Sequence, residues 1–329
     1  MPDSPPAHTL RLGTRGSLLA KAQSTWVARQ IEARVPGVRV ELVVITTSGD
    51  RITDQPLHAF GGKGLFTKEL EQALLAGTVD FAVHSFKDVP VTMPLVDTTD
   101  LLIAAVPARE DPRDALAAAT GLRSIDALPA GARIGTGSLR RRSQILARRP
   151  DLVVEPIRGN IDTRLRKLRE GQFDAVVLAT AGLKRGGLMD DGWMTPIEPD
   201  VMLPAAGQGA LALECRRDDA ACRRVLASMH DPMTAVCVEA EREVVRGLGG
   251  DCHSPIAALA TVDGNRVTLR VVVGARDGHP PVIGAEAAAP MNGASAAVVK
   301  VLADLERQGV RELLHGSMSS GDSMAAPQV

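Results

Sequence analysis

Apolar runs typical of buried strands alternate with helical patterns along most of this chain, and no other sequence feature constrains the fold as strongly. The predicted strands are Val38–Ile45, Phe81–Val83, Leu101–Val106, Leu152–Val154, Ala175–Ala179 and Ala210–Leu213. The predicted helices are Ser17–Arg34, Thr67–Ala76, Leu139–Arg148, Asp162–Arg169 and Asp219–Met229. Such alternation predicts an α/β fold with a mostly parallel sheet and helices on both faces.

The composition indicates an aliphatic core and excludes several kinds of protein. Hydrophobic residues make up 45% of the chain but aromatic residues only 2%, so Ala, Val, Leu and Ile must fill the core. Few aromatic rings also argue against binding of single-stranded nucleic acid. We see no apolar run long enough to span a bilayer and no signal-peptide pattern at the N-terminus. We therefore expect a cytoplasmic protein.

Three breaks in the pattern favour several domains. A charged, Pro-containing stretch at 107–112 follows Ala105, and a Gly-containing stretch begins near Pro204. A new unit opens at 230–232, where Asp231 can cap a helix whose first turn accepts Pro232. An alternating run at 267–273 and a helix near 294–308 follow. The tail from residue 316 has the composition of a disordered segment.

A strongly basic stretch lies in a chain whose formal net charge is only −1. Ten Lys or Arg residues stand against three acids between Gly135 and Arg169, which favours a local anionic ligand. The glycines at 135 and 137 suit a tight turn, and Ser138 can cap the helix that follows. We expect Arg140 and Arg141, beside that turn, to bind an anion through bidentate pairs. Surface ion pairs are the expectation for Arg148 and Arg149.

Three other segments carry candidate chemistry, each with a structural alternative. Lys87 and Asp88 follow a buried strand, where α/β sheets bind ligands, although a Lys-Asp neighbour pair is more often an ordinary ion pair. The loop at 61–64 contains Lys63 but lacks the spacing of a phosphate-binding loop, and a flexible surface loop is its alternative. Cys252 lies in a Gly-bounded loop, which raises the odds of a nucleophile only modestly.

The remaining cysteines and the histidines show no metal-ligand spacing, so we expect no metal site. Cys215 lies in an apolar run and Cys237 in a helical pattern, and we expect both to be structural.

In this order the motifs resemble those of the porphobilinogen deaminase, or hydroxymethylbilane synthase, family from residue 10 to about residue 314. The matching segments are 12–20 (LGTRGSLLA), 47–50 (TSGD), 61–66 (GGKGLF), 84–90 (HSFKDVP), 135–141 (GTGSLRR), 158–164 (RGNIDTR), 181–185 (AGLKR), 203–209 (LPAAGQG) and the cysteine loop at 248–256.

The resemblance implies a transferase of haem and tetrapyrrole biosynthesis. Members of this family join four porphobilinogen units head to tail, with release of ammonia, to give hydroxymethylbilane. They do so on a dipyrromethane cofactor held by a thioether to one cysteine, here Cys252. The implied fold has two lobes like those of periplasmic binding proteins, with mixed sheets flanked by helices, and a small α+β C-terminal domain. The expected divisions are 1–104 with 203–228, 105–202, 229–315 and a tail at 316–329.

The resemblance also implies roles for single residues. Asp88 matches the catalytic aspartate, whose carboxylate would stabilise positive charge on a pyrrole nitrogen as ammonia leaves. The residues implied for the cofactor are Cys252, Arg140, Arg141, Ser138, Lys87 and Asp88. Those implied for porphobilinogen and the growing polypyrrole chain are Arg15, Ser17, Lys63, Phe66, Arg158, Arg164 and Arg185. The family is usually monomeric, and its product can pass to uroporphyrinogen III synthase.

Two departures from the family pattern stand out. Many members have Gly-Gly before the cysteine, whereas this chain has Gly250 and Asp251. Some members carry a lysine shortly before the Gly-Gly-Lys loop, whereas 57–60 here has none.

Two other functions are compatible with parts of this sequence. A two-lobed anion- or solute-binding protein without catalysis would explain the arginines but not Cys252. A nucleic-acid-binding protein would need a broad basic face and aromatic residues.

Overall fold

Three β-sheets organise the chain in the computed structural model, which describes residues 8–46, 67–91, 99–119, 121–251 and 253–315. The first sheet has the order β2-β1-β3-β10-β4, with β1 His8–Arg15, β2 Val38–Ile45, β3 Phe81–Ser85, β4 Leu101–Ala105 and β10 Leu211–Arg216. The second has the order β7-β6-β8-β5-β9, with β5 Asp114–Ala118, β6 Arg133–Gly135, β7 Val153–Glu155, β8 Ala175–Ala179 and β9 Met194–Pro196. The third consists of β11 Ile256–Asp263, β12 Arg266–Gly274 and β13 Val282–Pro290.

The helices of the described residues flank these sheets. They are α1 Leu18–Arg34, α2 Lys68–Leu75, α3 Leu139–Arg148, α4 Ile161–Arg169, α5 Thr180–Arg185, α6 Ala220–Ala227, α7 Pro232–Gly247, α8 Ala294–Arg307 and α9 Val310–His315. The predicted cap of α7 is confirmed, because the Asp231 side chain accepts a hydrogen bond of 2.7 Å from the backbone N–H of Thr234. The predicted disordered tail at 316–329 lies outside the described residues. No helix among the described residues is long and apolar enough to cross a membrane.

The first two sheets are mixed, so the expectation of a mostly parallel sheet was wrong, whereas the mixed sheets implied by the family resemblance are confirmed. In the first sheet β1 runs parallel to β2 and β3, but β10 runs antiparallel to β3 and β4. In the second sheet β6 runs parallel to β7 and β8, but β5 runs antiparallel to β8 and β9. The physical reason is the path of the chain. It leaves the first sheet after β4 and returns to it only in β10, and local strand-helix alternation does not reveal the direction of such a returning strand.

Two connections between the first two sheets run side by side. The backbone N–H of Glu110, in the connection from β4 to β5, donates to the carbonyl of Gly209, in the connection back to β10, at 3.1 Å. Gly207 and Gly209 have φ angles of +70° and +87°. A Cβ atom at Gly209 would collide with the carbonyl oxygen of Glu110, and one at Gly207 would lie 3.3 Å from the backbone nitrogen of Lys87. Glycine therefore permits both the backbone conformation and the close approach to the Lys87 segment.

The core is aliphatic, as the composition predicts. The third sheet packs against α7 and α8 through a cluster that includes Val244, Leu269, Val271, Val301 and Leu305, each at most 1% exposed. The first two sheets have their own clusters, centred on Leu12 and Leu213 and on Ile134 and Val177. Each sheet thus has its own packed core, and the ends and edges of its strands can carry functional side chains.

Candidate active site

Asp88 lies on a short turn at the end of a central strand of the first sheet. Strand β3 ends at Ser85, and a 3-10 turn, Phe86–Asp88, follows it directly. Phe86 is buried in the core while Asp88 is exposed. The Lys87 ammonium donates to Oε1 of Gln208 at 3.3 Å. Burial lowers the pKa of Lys87, and the neighbouring Asp88 acts in the opposite direction.

Arg140 and Arg141 converge on one buried carboxylate, that of Asp114 at the start of β5. Arg140 Nη1 lies 2.8 Å from Asp114 Oδ2 and also donates to the carbonyl of Leu203 at 2.7 Å. Arg141 Nη2 lies 2.7 Å from Asp114 Oδ1, and its Nη1 donates to the carbonyl of Val177 at 2.8 Å. Burial favours the neutral acid, but the two guanidinium groups hold the pKa of Asp114 well below its usual range. One carboxylate thus balances only one of the two buried positive charges.

The predicted cap at the start of α3 is confirmed. The Ser138 hydroxyl accepts a hydrogen bond of 3.4 Å from the backbone N–H of Arg141. This cap fixes the first turn of the helix and therefore the origin of both arginine side chains.

The larger of two neighbouring cavities connects these groups. Its volume is about 170 Å³, and the charged and polar side chains in its wall are those of Lys87, Asp88, Ser138, Arg140, Arg141, Gln208, Arg242, Asp251 and Ser254. Four cationic side chains therefore line this cavity with two carboxylates. Its excess positive charge suits a ligand with several carboxylates.

A smaller cavity of about 70 Å³ also has Asp88 in its wall. Its polar wall residues are Arg15, Ser17, Gln23, Thr67, His84, Ser85 and Asp88. Ser17 also caps α1 by accepting from the backbone N–H of Ala20 at 3.3 Å. Asp88 contributes to the wall of both cavities.

Two of the predicted substrate-binding arginines, Arg158 and Arg164, line neither cavity. Arg164 Nε donates to the carbonyl of Gly159 at 2.8 Å. Burial lowers the pKa of Arg164 to about 10, and the positive charges of Arg141 and Arg158 act in the same direction. Arg164 therefore lies close enough to Arg141 and Arg158 for their positive charges to interact.

Arg185 occupies a different environment. Its Nη2 donates to the carbonyl of Gly209 at 2.9 Å, and its Cζ lies 6.0 Å from the centroid of the Trp26 ring. It lines neither cavity.

The surface ion pairs expected of Arg148 and Arg149 are confirmed. Arg148 pairs with Asp126, and Arg149 pairs with Asp151.

Three predicted site residues, Lys63, Phe66 and Cys252, lie outside the described residues. Two residues close to Cys252 in the sequence, Asp251 and Ser254, line the larger cavity. Asp251 Oδ1 accepts hydrogen bonds from the backbone N–H groups of His253 and Ser254, at 2.9 Å and 3.0 Å. Asp251, which departs from the family pattern, thus bonds to the two residues that follow Cys252 in the chain.

The other three cysteines, Cys215, Cys222 and Cys237, are buried free thiols, which confirms the structural reading of Cys215 and Cys237. Burial raises the pKa of the Cys237 thiol to about 11, which disfavours the reactive thiolate. Among the described residues no group of three or more His, Cys, Asp or Glu side chains is placed to hold a metal ion.

Sequence reasoning missed several buried polar residues around the site. Asp114 is the partner of both arginines, and its one local signal is an acid at the start of an otherwise apolar run. His84 Nε2, in the wall of the smaller cavity, lies 3.0 Å from Glu214 Oε2 in a buried pair. Glu241 and Arg242 lie in α7, where a helical pattern alone gives no sign of their partners.

Comparison with known proteins identifies the family. The model described as "Porphobilinogen deaminase, dipyromethane cofactor binding domain" matches residues 10–224, and the model of the porphobilinogen deaminase C-terminal domain matches residues 235–307. The porphobilinogen deaminase of Roseiflexus sp. (strain RS-1) is 50% identical over 83% of this chain and 88% of that protein. That of Syntrophotalea carbinolica is 48% identical over 94% of this chain and 96% of that protein.

Among solved structures, a probable amino-acid ABC transporter extracellular-binding protein from Bacillus subtilis covers 68% of this chain and 91% of its own, at 10% identity and a TM-score of 0.40. That similarity is too low to bear on function. The two family models together span most of the sequence, and both lobes and the cysteine-bearing C-terminal unit fall within them. The chain therefore belongs to the porphobilinogen deaminase family.

Proposed function

We propose that the larger cavity holds the dipyrromethane cofactor and that the smaller cavity receives porphobilinogen, with Asp88 acting between them. The observation that carries this proposal is that Asp88 lines both cavities. As a porphobilinogen deaminase, the chain joins four porphobilinogen units with release of ammonia. A single carboxylate shared by both sites is what such a repeated condensation needs.

The wall of the larger cavity fits the cofactor chemically. Each pyrrole carries an acetate and a propionate, and the cavity presents Lys87, Arg140 and Arg141, with Ser138 at the turn. Arg140 and Arg141 share one internal counter-ion, Asp114, which leaves positive charge for a bound anion. We assign the covalent thioether to Cys252, since the residues on either side of its loop line this cavity. When bound, the cofactor supplies the free pyrrole α-carbon to which the next unit is joined.

Asp88 supplies the electrostatic and proton-transfer chemistry. When the aminomethyl group of porphobilinogen loses ammonia, the C–N bond breaks and positive charge develops on the ring nitrogen. A carboxylate beside that nitrogen stabilises the charge, and it can take up the proton released when the new C–C bond has formed. Asp88 is exposed at the cavity surface and therefore accessible to the substrate.

The remaining predicted residues are assigned to the substrate and the elongating chain. They are Arg15, Ser17, Lys63, Phe66, Arg158, Arg164 and Arg185. The position of Arg15 and Ser17 in the smaller cavity supports a role with incoming porphobilinogen. The proximity of Arg164 to the positive charges of Arg141 and Arg158 supports a role with the polycarboxylate chain. Arg185 contacts the connection that contains Gly209, and we assign it to the same role.

The division of the chain follows the three sheets. We propose a first domain of 1–104 with 203–228, a second of 105–202 and a third of 229–315 that carries the cofactor. The proposal also includes a cytoplasmic monomer that can hand its product to uroporphyrinogen III synthase.

The proposed function is tested by adding porphobilinogen to the purified holoprotein and recording intact mass at short times. We expect species heavier by one, two, three and four pyrrole units, followed by release of hydroxymethylbilane, which cyclises and oxidises to coloured porphyrin. A two-lobed binding protein without catalysis would give neither the covalent series nor porphyrin, and that result would overturn the proposal.

A further inference from the structure

A buried arginine outside the predicted site residues holds the turn that carries Lys87 and Asp88. Arg242 is 6% exposed, and its Cζ lies 4.6 Å from the centroid of the Phe86 ring. Its Nη1 donates to the carbonyl of Val89 at 2.8 Å, and its Nη2 donates to the carbonyl of Pro90 at 2.6 Å. A longer contact of 3.5 Å joins Nη1 to the carbonyl of Phe86. The guanidinium thus contacts the backbone at both ends of the turn.

The turn needs an external donor because its own hydrogen bonding is sparse. A 3-10 turn of three residues, Phe86–Asp88, is closed by one backbone hydrogen bond of 3.2 Å, from Val89 to the carbonyl of Phe86. The carbonyls at the end of such a turn have no partner within it, and Pro90 has no N–H to continue the pattern. A planar guanidinium presents several N–H groups in fixed directions, so it can orient two carbonyls at once.

The helix that carries Arg242 is itself firmly anchored by the preceding residue. The fully buried Glu241 carboxylate accepts hydrogen bonds from Arg109 at 2.6 Å and 3.1 Å, and from the backbone N–H groups of Gly207 and Ala260 at 2.7 Å and 2.8 Å. These donors come from both connections between the lobes and from the third sheet. Arg242 therefore extends to the Asp88 turn from a helix that Glu241 joins to three other segments of the chain.

We propose that Arg242 is a positioning residue for Asp88. Although Arg242 lines the larger cavity beside Arg140 and Arg141, its guanidinium is directed at the backbone of the turn. It acts by fixing where the Asp88 carboxylate lies relative to the reacting pyrroles. A displacement of about 1 Å in a reacting group can cost roughly a hundredfold in rate. The inference rests on the proposed role of Asp88.

A double-mutant cycle on the holoprotein tests this coupling. The rate of the first porphobilinogen addition is measured by rapid quench and intact mass for the wild type, Arg242→Gln, Asp88→Asn and the double variant. We expect Arg242→Gln to lower that rate by on the order of tenfold to a hundredfold, with KM changed by less than about threefold. In the Asp88→Asn background the same change should cost less than about threefold, since there is no carboxylate left to position.

The outcomes are distinguishable. An equal fold-loss in both backgrounds would show that Arg242 acts independently of Asp88 and would overturn the inference alone. A wild-type rate for Asp88→Asn would instead overturn the proposed role of Asp88. Loss of the cofactor in Arg242→Gln, with normal loading in Arg242→Lys, would make Arg242 a cofactor ligand and also overturn the inference.

Two further variants control for folding and charge. Arg242→Lys keeps the charge but cannot bridge two carbonyls as a fork, so we expect an intermediate rate with normal cofactor loading. It replaces Arg242→Gln in the cycle if the Gln variant does not fold. The matched control is Arg246→Gln, one turn along α7, where a half-exposed side chain reaches the carbonyl of Val91 at 3.4 Å. We expect that variant to retain the wild-type rate.

Discussion

At the scale of single residues, the site is defined by an imbalance of charge around Asp88. Lys87, Arg140 and Arg141 lie near one buried carboxylate, Asp114, and the depressed pKa of Lys87 reflects its burial. A site with this surplus of cations binds best when an anion with several charges completes it. The dipyrromethane of this family meets that requirement.

The Asp88→Asn variant tests the catalytic role directly. The substitution keeps the shape and removes the charge, so it should lower the turnover rate by on the order of a hundredfold or more. Because Asp88 is exposed, the melting temperature should change little. Steady-state porphyrin formation measures the effect, and wild-type turnover would reduce Asp88 to a structural residue.

Replacement of the arginines should divide them into two classes. Arg140→Leu or Arg141→Leu should yield mainly apoprotein, because Asp114 fixes these side chains at one point of the larger cavity, which we propose holds the cofactor. Variants of Arg15, Arg158, Arg164 and Arg185 should keep the cofactor but slow initiation or stall elongation at particular lengths. Intact mass before and after addition of porphobilinogen separates the classes.

The matched control for this division is Arg148→Leu, in the last turn of the same helix, where the side chain pairs with Asp126 at the surface. It should behave as the wild type. Normal cofactor in the Arg140 and Arg141 variants, or its loss in the other four, would refute the division.

At the scale of secondary structure, sequence patterns predict some elements to the residue and miss others, including the eight-residue strand β1. The predictions for Val38–Ile45, Leu139–Arg148 and Ala175–Ala179 coincide with β2, α3 and β8. Strands β6 and β9 were missed, and each has only three residues, too few for a period to show. Strand β5 was missed although it has five residues. It begins with Asp114, whose burial depends on arginines 26 and 27 residues further along the chain.

The acid stability of the protein should depend on Asp114. Its pKa in the folded state is lowered below the unfolded value of about 3.9, so the stabilisation is present above that pH and is lost as the pH falls further. Asp114→Asn should cost about 3–5 kcal/mol at pH 7, because it leaves two buried guanidinium groups without their counter-ion. The variant should also lose less stability than the wild type on going from pH 5 to pH 3.

Urea unfolding at the two pH values measures both effects. Both proteins should carry Cys252→Ala, so that cofactor loading does not differ between them. An Asn variant with wild-type stability at pH 7, or with the same loss on acidification, would contradict this account of Asp114.

At the scale of the whole molecule, one buried carboxylate connects the three sheets. Glu241 binds Arg109 in one connection, Gly207 in the other and Ala260 in the third sheet. The breaks near Ala105, Pro204 and His230 were visible in the sequence, because proline, glycine and charge interrupt the apolar pattern there. Their joining at Glu241 could not be predicted, since it brings together segments that are far apart in the chain.

Removal of this connection should destabilise the whole protein. Glu241→Gln should lower the free energy of unfolding by about 3–5 kcal/mol, because Arg109, whose side chain is only 11% exposed, loses its counter-ion. Glu170→Gln is the control, since its exposed pair with Arg166 should contribute no more than about 0.5 kcal/mol. Calorimetry of both variants measures the difference, and equal, small effects would contradict the role given to Glu241.

We infer that this chain carries its own pyrrole primer on Cys252. The most direct test of this claim is the intact mass of protein expressed in cells that make porphobilinogen. We expect a mass above that of the sequence by two linked pyrroles in the wild type, Cys215→Ala and Cys237→Ala proteins, and an unmodified mass in Cys252→Ala. An unmodified wild-type mass, or a modification that survives in Cys252→Ala, would contradict the claim.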